Sequence, residues 1–125
     1  MGEIIDKIKV VGTINERVVN LLGLSIEPGT PILIGPTNIE HMKKTHSEDF
    51  KKYFGELENI LNSPDFVSKH PIDGSIQYIK VYDEHVLVGV RLSSTGKPFA
   101  RTLFTMTENK LKKYREKNAL KKYNE

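Results

Sequence analysis

From Ser75 to Met106 the hydrophobic pattern has a period of two, and no other feature of the 125 residues restricts the fold as strongly. "SIQYIKVY", "HVLVGVRLS" and "FARTLFTM" read as three β-strands. Asp83-Glu84 is a tight connection between the first two. "SSTGKP" is a looser turn between the second and third, with Gly96 as its left-handed residue. Connections this short make neighbouring strands antiparallel.

Alternation then sorts the side chains onto two faces. Ile79, Val81, Val86, Val88, Val90, Leu92, Ala100, Thr102, Phe104 and Met106 form an apolar set expected to pack on helices. The other set holds Tyr78, Lys80, Tyr82, His85, Arg91, Ser93, Arg101 and Thr105, mixed with Leu87, Gly89, Phe99 and Leu103. A two-residue turn pairs Tyr82 with His85. In the second hairpin, Val88 is expected opposite Phe104 and Val90 opposite Thr102, because a one-residue slip would put Arg101 against Val90. The polar set has two readings. It is the wet face of an antiparallel sheet, or it is a nucleic-acid surface where cations meet phosphates and rings stack on unpaired bases.

The first half of the chain supplies the helices. "EIIDKIKVVGTI" reads as a strand and "NERVVNLLGL" as a short helix, capped by Asn15 and stopped by Gly23. "EPGT" is a turn and "PILIG" a short buried strand. Between Pro36 and Asn62, apolar residues recur at three- and four-residue steps. Within that region "THSEDF" resembles a fresh helix start. Ser47 can cap, and Glu48 and Asp49 complement the positive end of a helix. Two helices are expected, roughly 37–45 and 48–62, with a kink near His46. "SPDFVSKHPIDGS" is a connector, and Thr107 caps a final helix, "ENKLKKYREKN". Beyond it, Asn118 ends the helix in a left-handed conformation and Leu120 anchors an edge segment, or the stretch is a basic tail. The fold class is therefore α+β: N-terminal helices packed on one face of an antiparallel β-sheet, with a C-terminal helix. One domain over 1–125 is expected, with a lead-in over 1–35, a core over 36–117 and a tail over 118–125.

The composition removes several classes of function. There is no cysteine, which excludes disulfides and thiolate zinc sites. There is neither a membrane-length apolar run nor a charged-then-apolar leader, so a cytoplasmic location and no membrane partner are expected. Charge is uneven. Residues 1–62 carry seven Lys/Arg against nine Asp/Glu, and residues 63–125 carry twelve against seven. A basic half attracts polyanions, although a solvated lysine-rich helix has the same composition.

His41 and His46 are five residues apart, about 140° on an unbroken helix. A break near His46 would turn both toward one cleft. Taken singly, His46 lies on the apolar stripe, where a histidine is most simply a core residue, and His41 lies one step off it. No third histidine or carboxylate completes a metal-ligand set at helical spacing. His70 and His85 read as surface residues. Metal-free RNA cleavage needs a base, an acid and a cation. Histidine suits the first two because it titrates near neutrality, and arginine suits the third through its bidentate fork.

In order along the chain, "GPTNIEHMKKTHSEDF", "ILNSPDFV" and "SIQYIKVYDEHVLVGVRLSSTGKPFARTLFTM" resemble the phage-associated branch of the barnase–EndoU–colicin–RelE nuclease superfamily. The resembling features are a helical H-x4-H element and an NPD-like signal at Asn62-Ser63-Pro64-Asp65 with one residue inserted. A V-x-V-R strand and an R-[ST]-L strand follow. The likeness covers about residues 31–117. It implies helices packed on an antiparallel sheet whose open face cleaves RNA without a metal or other cofactor. It matches His41 and His46 to the family's histidines and Arg91 to its basic strand residue. Thr105 or Thr102 matches its hydroxyl; strand parity favours Thr105. Arg101 and Lys80 become phosphate contacts, and Tyr78 and Lys97 complete the expected RNA-binding set. Relatives of this kind are often toxins, which implies an RNA substrate, with transfer RNA among the candidates, and an immunity protein as partner. The function expected is a metal-independent, toxin-like endoribonuclease. The alternative is a catalytically inactive RNA- or protein-binding module of the same fold.

Overall fold

The computed structural model describes residues 8–117 and 119–124, and local signals bound most of its elements. Strand β1 (Lys9–Ile14) leads into helix α1 (Glu16–Leu22). The Asn15 side chain accepts the Val18 N–H at 3.0 Å, which satisfies an otherwise orphaned donor of the first turn. Gly23, at φ 61°, ends the helix by donating its N–H to the Val19 carbonyl. Strand β2 (Thr30–Ile34) follows, and Pro36 opens helix α2 (Pro36–Thr45) at the position where a missing N–H costs nothing. His46 breaks the helical path at φ −141°, ψ 63°, and α3 (Ser47–Tyr53) restarts it with Glu48 and Asp49 in its first turn. The helix expected over 48–62 is itself interrupted. A 3-10 turn, Phe54–Glu56, separates α3 from α4 (Leu57–Asn62).

The segment read as a connector contains strand β3 (Phe66–Lys69). Strands β4 (Ile76–Val81), β5 (His85–Leu92) and β6 (Pro98–Thr105) occupy the three period-two stretches. Thr107 caps α5 (Glu108–Glu116) by accepting the Lys110 N–H at 3.2 Å. Strand β7 (Lys121–Lys122) follows, pairs with β3 and covers that edge. Tyr123 fastens this segment. Its hydroxyl accepts from Asn15 Nδ2 at 2.6 Å, and its carbonyl accepts from Arg17 Nε. The first residues of the expected opening strand, and the expected left-handed Asn118, lie outside the described residues.

Among the described residues, seven strands form one sheet in the order β1-β2-β6-β5-β4-β3-β7. It is not wholly antiparallel: β2 meets β6 in parallel through Leu33 and Phe99. Both hairpin registers also differ from the parity expectation. His85 pairs with Val81, not Tyr82, so the first connection has three residues. In the second hairpin Val88 pairs with Leu103 and Val90 with Ala100, with the register shifting between Gly89 and Val90. Arg101 is the extra residue at this bulge, so Arg101 and Thr102 fall on the same side of the sheet.

The two shifts decide what packs where. One cluster joins Val18, Met42, Leu57, Ile60 and Leu61 of the N-terminal helices to Ile76, Tyr78, Val86, Val88, Val90 and Leu103 of the sheet. Each fully buried aliphatic side chain there contributes about 1.5–3 kcal/mol relative to exposure. A second, smaller cluster joins Leu111 of α5 to Ile79, Leu87 and Met106. The strands thus carry apolar residues on both faces. Tyr78 belongs to the large cluster, and Ile79, Phe104 and Met106 to the small one, the reverse of the expected parity.

Candidate active site

Part of the α5-side face is left uncovered and forms a groove of about 430 Å³, within the range of small-ligand sites. Gln77 of β4, Leu87, Gly89 and Arg91 of β5, and Arg101, Thr102 and Phe104 of β6 form its floor. Thr37, Asn38 and His41 of α2 make one wall. His70, Asp73 and Ser75 of the β3–β4 loop make the other.

Local structure explains each placement. Met42 is fully buried, so α2 turns Thr37, Asn38 and His41, at three- and four-residue steps, toward the groove. The Asn38 side-chain Oδ1 accepts the Gly35 N–H at 2.9 Å, which leaves the side-chain Nδ2 to donate. The bulge brings Arg101 to the groove beside Thr102. Arg101 Nε is buried and meets no hydrogen-bond partner among the described residues. Gly89 leaves room on the floor, because a Cβ there would lie 2.7 Å from Thr102 Cγ2.

The opposite wall is held by its own hydrogen bonds. His70 Nδ1 faces the backbone N–H groups of Ile72 and Asp73 at 3.2 and 3.4 Å. The same Nδ1 lies 3.4 Å from an Asp73 carboxylate oxygen. Asp73 accepts from the Ser75 hydroxyl at 2.6 Å and the Ser75 N–H at 2.9 Å. These bonds hold its carboxyl below the ordinary carboxylate value, with smaller help from His70 and Arg91. Asp73 is therefore an anion near neutrality, set against two guanidiniums lining the same groove. Gln77 is nearly buried, and its Oε1 accepts the Tyr114 hydroxyl at 3.0 Å.

The expected site residues fall into two groups. His41, Arg91 and Arg101 line the groove. His46 is half-buried at the helix break, and its ring lies 5.2 Å from that of Phe104, itself a floor residue. Lys97 is exposed in the β5–β6 turn, outside the groove lining. The other three lie away from the groove lining. Tyr78 is fully buried and cannot stack on a base. Lys80 turns to the other face, where Nζ donates to the Ser63 carbonyl at 2.7 Å. Thr105 pairs with Val86 on the helix side, and its N–H donates to Asp49 at 2.9 Å. Beyond the bulge the parity inverts, so the groove hydroxyl on β6 is Thr102.

Sequence reasoning missed His70, Asp73, Ser75, Gln77 and Asn38. Gly89 inside an apolar strand was the available signal, since glycine there marks a bulge or a close approach. Among the described residues, no three His, Asp or Glu side chains form a group able to hold a metal ion, and no helix is long and apolar enough to cross a membrane. No curated protein and no solved structure matches the chain. A family model does match residues 8–113, under the description phage-Barnase-EndoU-ColicinE5/D-RelE like nuclease3. The chain belongs to this phage-associated family of barnase–EndoU–colicin–RelE-like nucleases.

Proposed function

We propose that this nuclease is an endoribonuclease that cleaves RNA without a metal, by histidine acid–base catalysis. The observation that carries the reading is that His41, Arg91 and Arg101 line one groove on the uncovered sheet face. In the reaction, the ribose 2′-oxygen attacks the adjacent phosphorus while one histidine takes its proton. The P–O5′ bond breaks, and a second protonated group delivers a proton to the departing oxygen. A 2′,3′-cyclic phosphate and a 5′-hydroxyl result. Arg91 and Arg101 brace the phosphate as charge builds on it, and the unpartnered Arg101 N–H is a donor for that purpose. The Thr102 hydroxyl orients a non-bridging oxygen.

His41 is one proton-transfer group. His46, held against Phe104 at the edge of the groove, is the second. A competing assignment gives the second role to His70, because its ring lines the opposite wall of the same groove.

The test is incubation with labelled RNA in EDTA, with DNA of the same sequence as control. RNA cleavage with DNA left intact is expected. His41→Ala should lower kcat/KM by about 10²–10⁴-fold with an unchanged Tm. His46→Ala and His70→Ala, measured side by side, separate the two assignments. RNA that binds in a salt-dependent way but stays intact would instead favour the inactive binding module.

A further inference from the structure

A second groove adjoins the first on the same face. It lies between α5 and the β3–β4 loop, encloses about 550 Å³, and shares His70, Gln77 and Phe104 with the first. Lys69, Lys110, Lys113 and Lys117 line it, and among the described residues no carboxylate lines it. The last three follow one another at three- and four-residue steps along α5 and its end, so they share one side. Lys110 Nζ is held 4.7 Å from the Phe104 ring centroid. The floor between these cations is apolar. Phe104 and Tyr114 form it, and Ile72, 89% exposed, stands at its lip. A large aliphatic side chain on a loop tip, beside four lysines, is left in water among the described residues.

Cations around an apolar floor match a chain that carries phosphates outside and flat bases inside. We propose that this second groove binds the single-stranded RNA flanking the cleaved linkage. A base lies on the Phe104–Tyr114 floor, and successive phosphates meet Lys69 and the α5 lysines. The proposal rests on the ribonuclease reading and deepens it, making α5 a determinant of substrate length. An acidic protein would satisfy the lysines alone. Continuity with the first groove through Phe104 favours a strand that occupies both.

The variant to make joins Lys110→Gln, Lys113→Gln and Lys117→Gln. All three side chains are exposed, so the fold should survive, which Tm checks. The wild-type protein should favour a decanucleotide over a dinucleotide in kcat/KM, and the variant should lose that preference by about tenfold, the scale of the phosphate contacts removed. Binding to an uncleavable 2′-O-methyl decanucleotide is measured in parallel. The slope of log affinity against log salt should become shallower by about 2, at roughly 0.7 per lost cation on a single strand. An unchanged length preference together with an unchanged slope would overturn the proposal. If the wild-type protein cleaves neither substrate, the ribonuclease reading fails. The slope alone then decides the groove, and an unchanged slope overturns the proposal.

Discussion

Gly89 shapes the groove by having no side chain. A Cβ at this position would lie 2.7 Å from Thr102 Cγ2, closer than carbon atoms tolerate. Alanine in a strand interior gains about 0.5–1 kcal/mol over glycine in backbone entropy, but overpacking costs about 1–3 kcal/mol. The clash should win. Gly89→Ala is expected to lower stability by about 1–2 kcal/mol and to reduce RNA turnover, because Thr102 and the groove floor must shift. Thermal unfolding and turnover, measured together, check it; a more stable variant with full activity would count against this role. Tyr78 poses the opposite case. Its hydroxyl is buried and meets no partner among the described residues, and burial pushes its ionisation well above the ordinary tyrosine value. An unsatisfied buried hydroxyl costs about 1–3 kcal/mol, so Tyr78→Phe should be neutral or stabilising and should leave RNA cleavage unchanged. Lost cleavage with intact stability would return Tyr78 to the site. A glycine inside an apolar strand signals a close approach, but what approaches Gly89, and what buries Tyr78, depends on strands brought together from elsewhere.

At the scale of elements, the break at His46 separates two helices with different attachments. α2 carries His41 to the groove, whereas α3 is tied to β6. Asp49, in the first turn of α3, accepts the Thr105 N–H at 2.9 Å and faces the Thr105 hydroxyl at 3.2 Å. Hydrogen bonds to a charged group contribute about 1.5–3 kcal/mol, so Asp49→Ala should destabilise by that order. Because α3 follows directly on His46, the variant should also perturb the His46–Phe104 contact, visible as a shift of the His46 ring resonances by NMR. Unmoved resonances would separate the tether from the site. The break itself was legible in "THSEDF", since capping and first-turn charges act within four residues. The second interruption, at Phe54–Glu56, was not. The apolar steps continue through it, and only the packing of Phe54 and Leu57 against the core distinguishes it from a straight helix.

For the whole molecule, the tyrosines report how the parts are held. Burial raises the pKa of Tyr53, Tyr78, Tyr82 and Tyr114, and that of Tyr82 reaches about 12, helped by its hydrogen bond to Glu56. A raised folded pKa means stability fully present below the unfolded tyrosine value and lost as pH rises through the folded one. Stability should therefore be insensitive to these groups at neutral pH and fall above the ordinary value of 10.0. Tyrosinate absorbance should appear together with loss of structure; ionisation of all tyrosines near 10.0 in a folded protein would contradict the packing described. By itself, the sequence determined the elements whose causes are local: the three period-two strands, the Asn15 and Thr107 caps, the Gly23 stop and the break at His46. It also marked His41, Arg91 and Arg101, whose residue types suit phosphate chemistry. Only the tertiary structure decided which face each strand residue takes. A three-residue turn reversed β4, moving Tyr78 and Lys80 away from the groove and Gln77 into it. A bulge after Gly89 reversed the end of β6, exchanging Thr105 for Thr102. Both follow from one fact. Side-chain direction alternates at every residue of a strand, so a single added residue inverts everything beyond it, and the placing of that residue is settled by packing between segments remote in the chain.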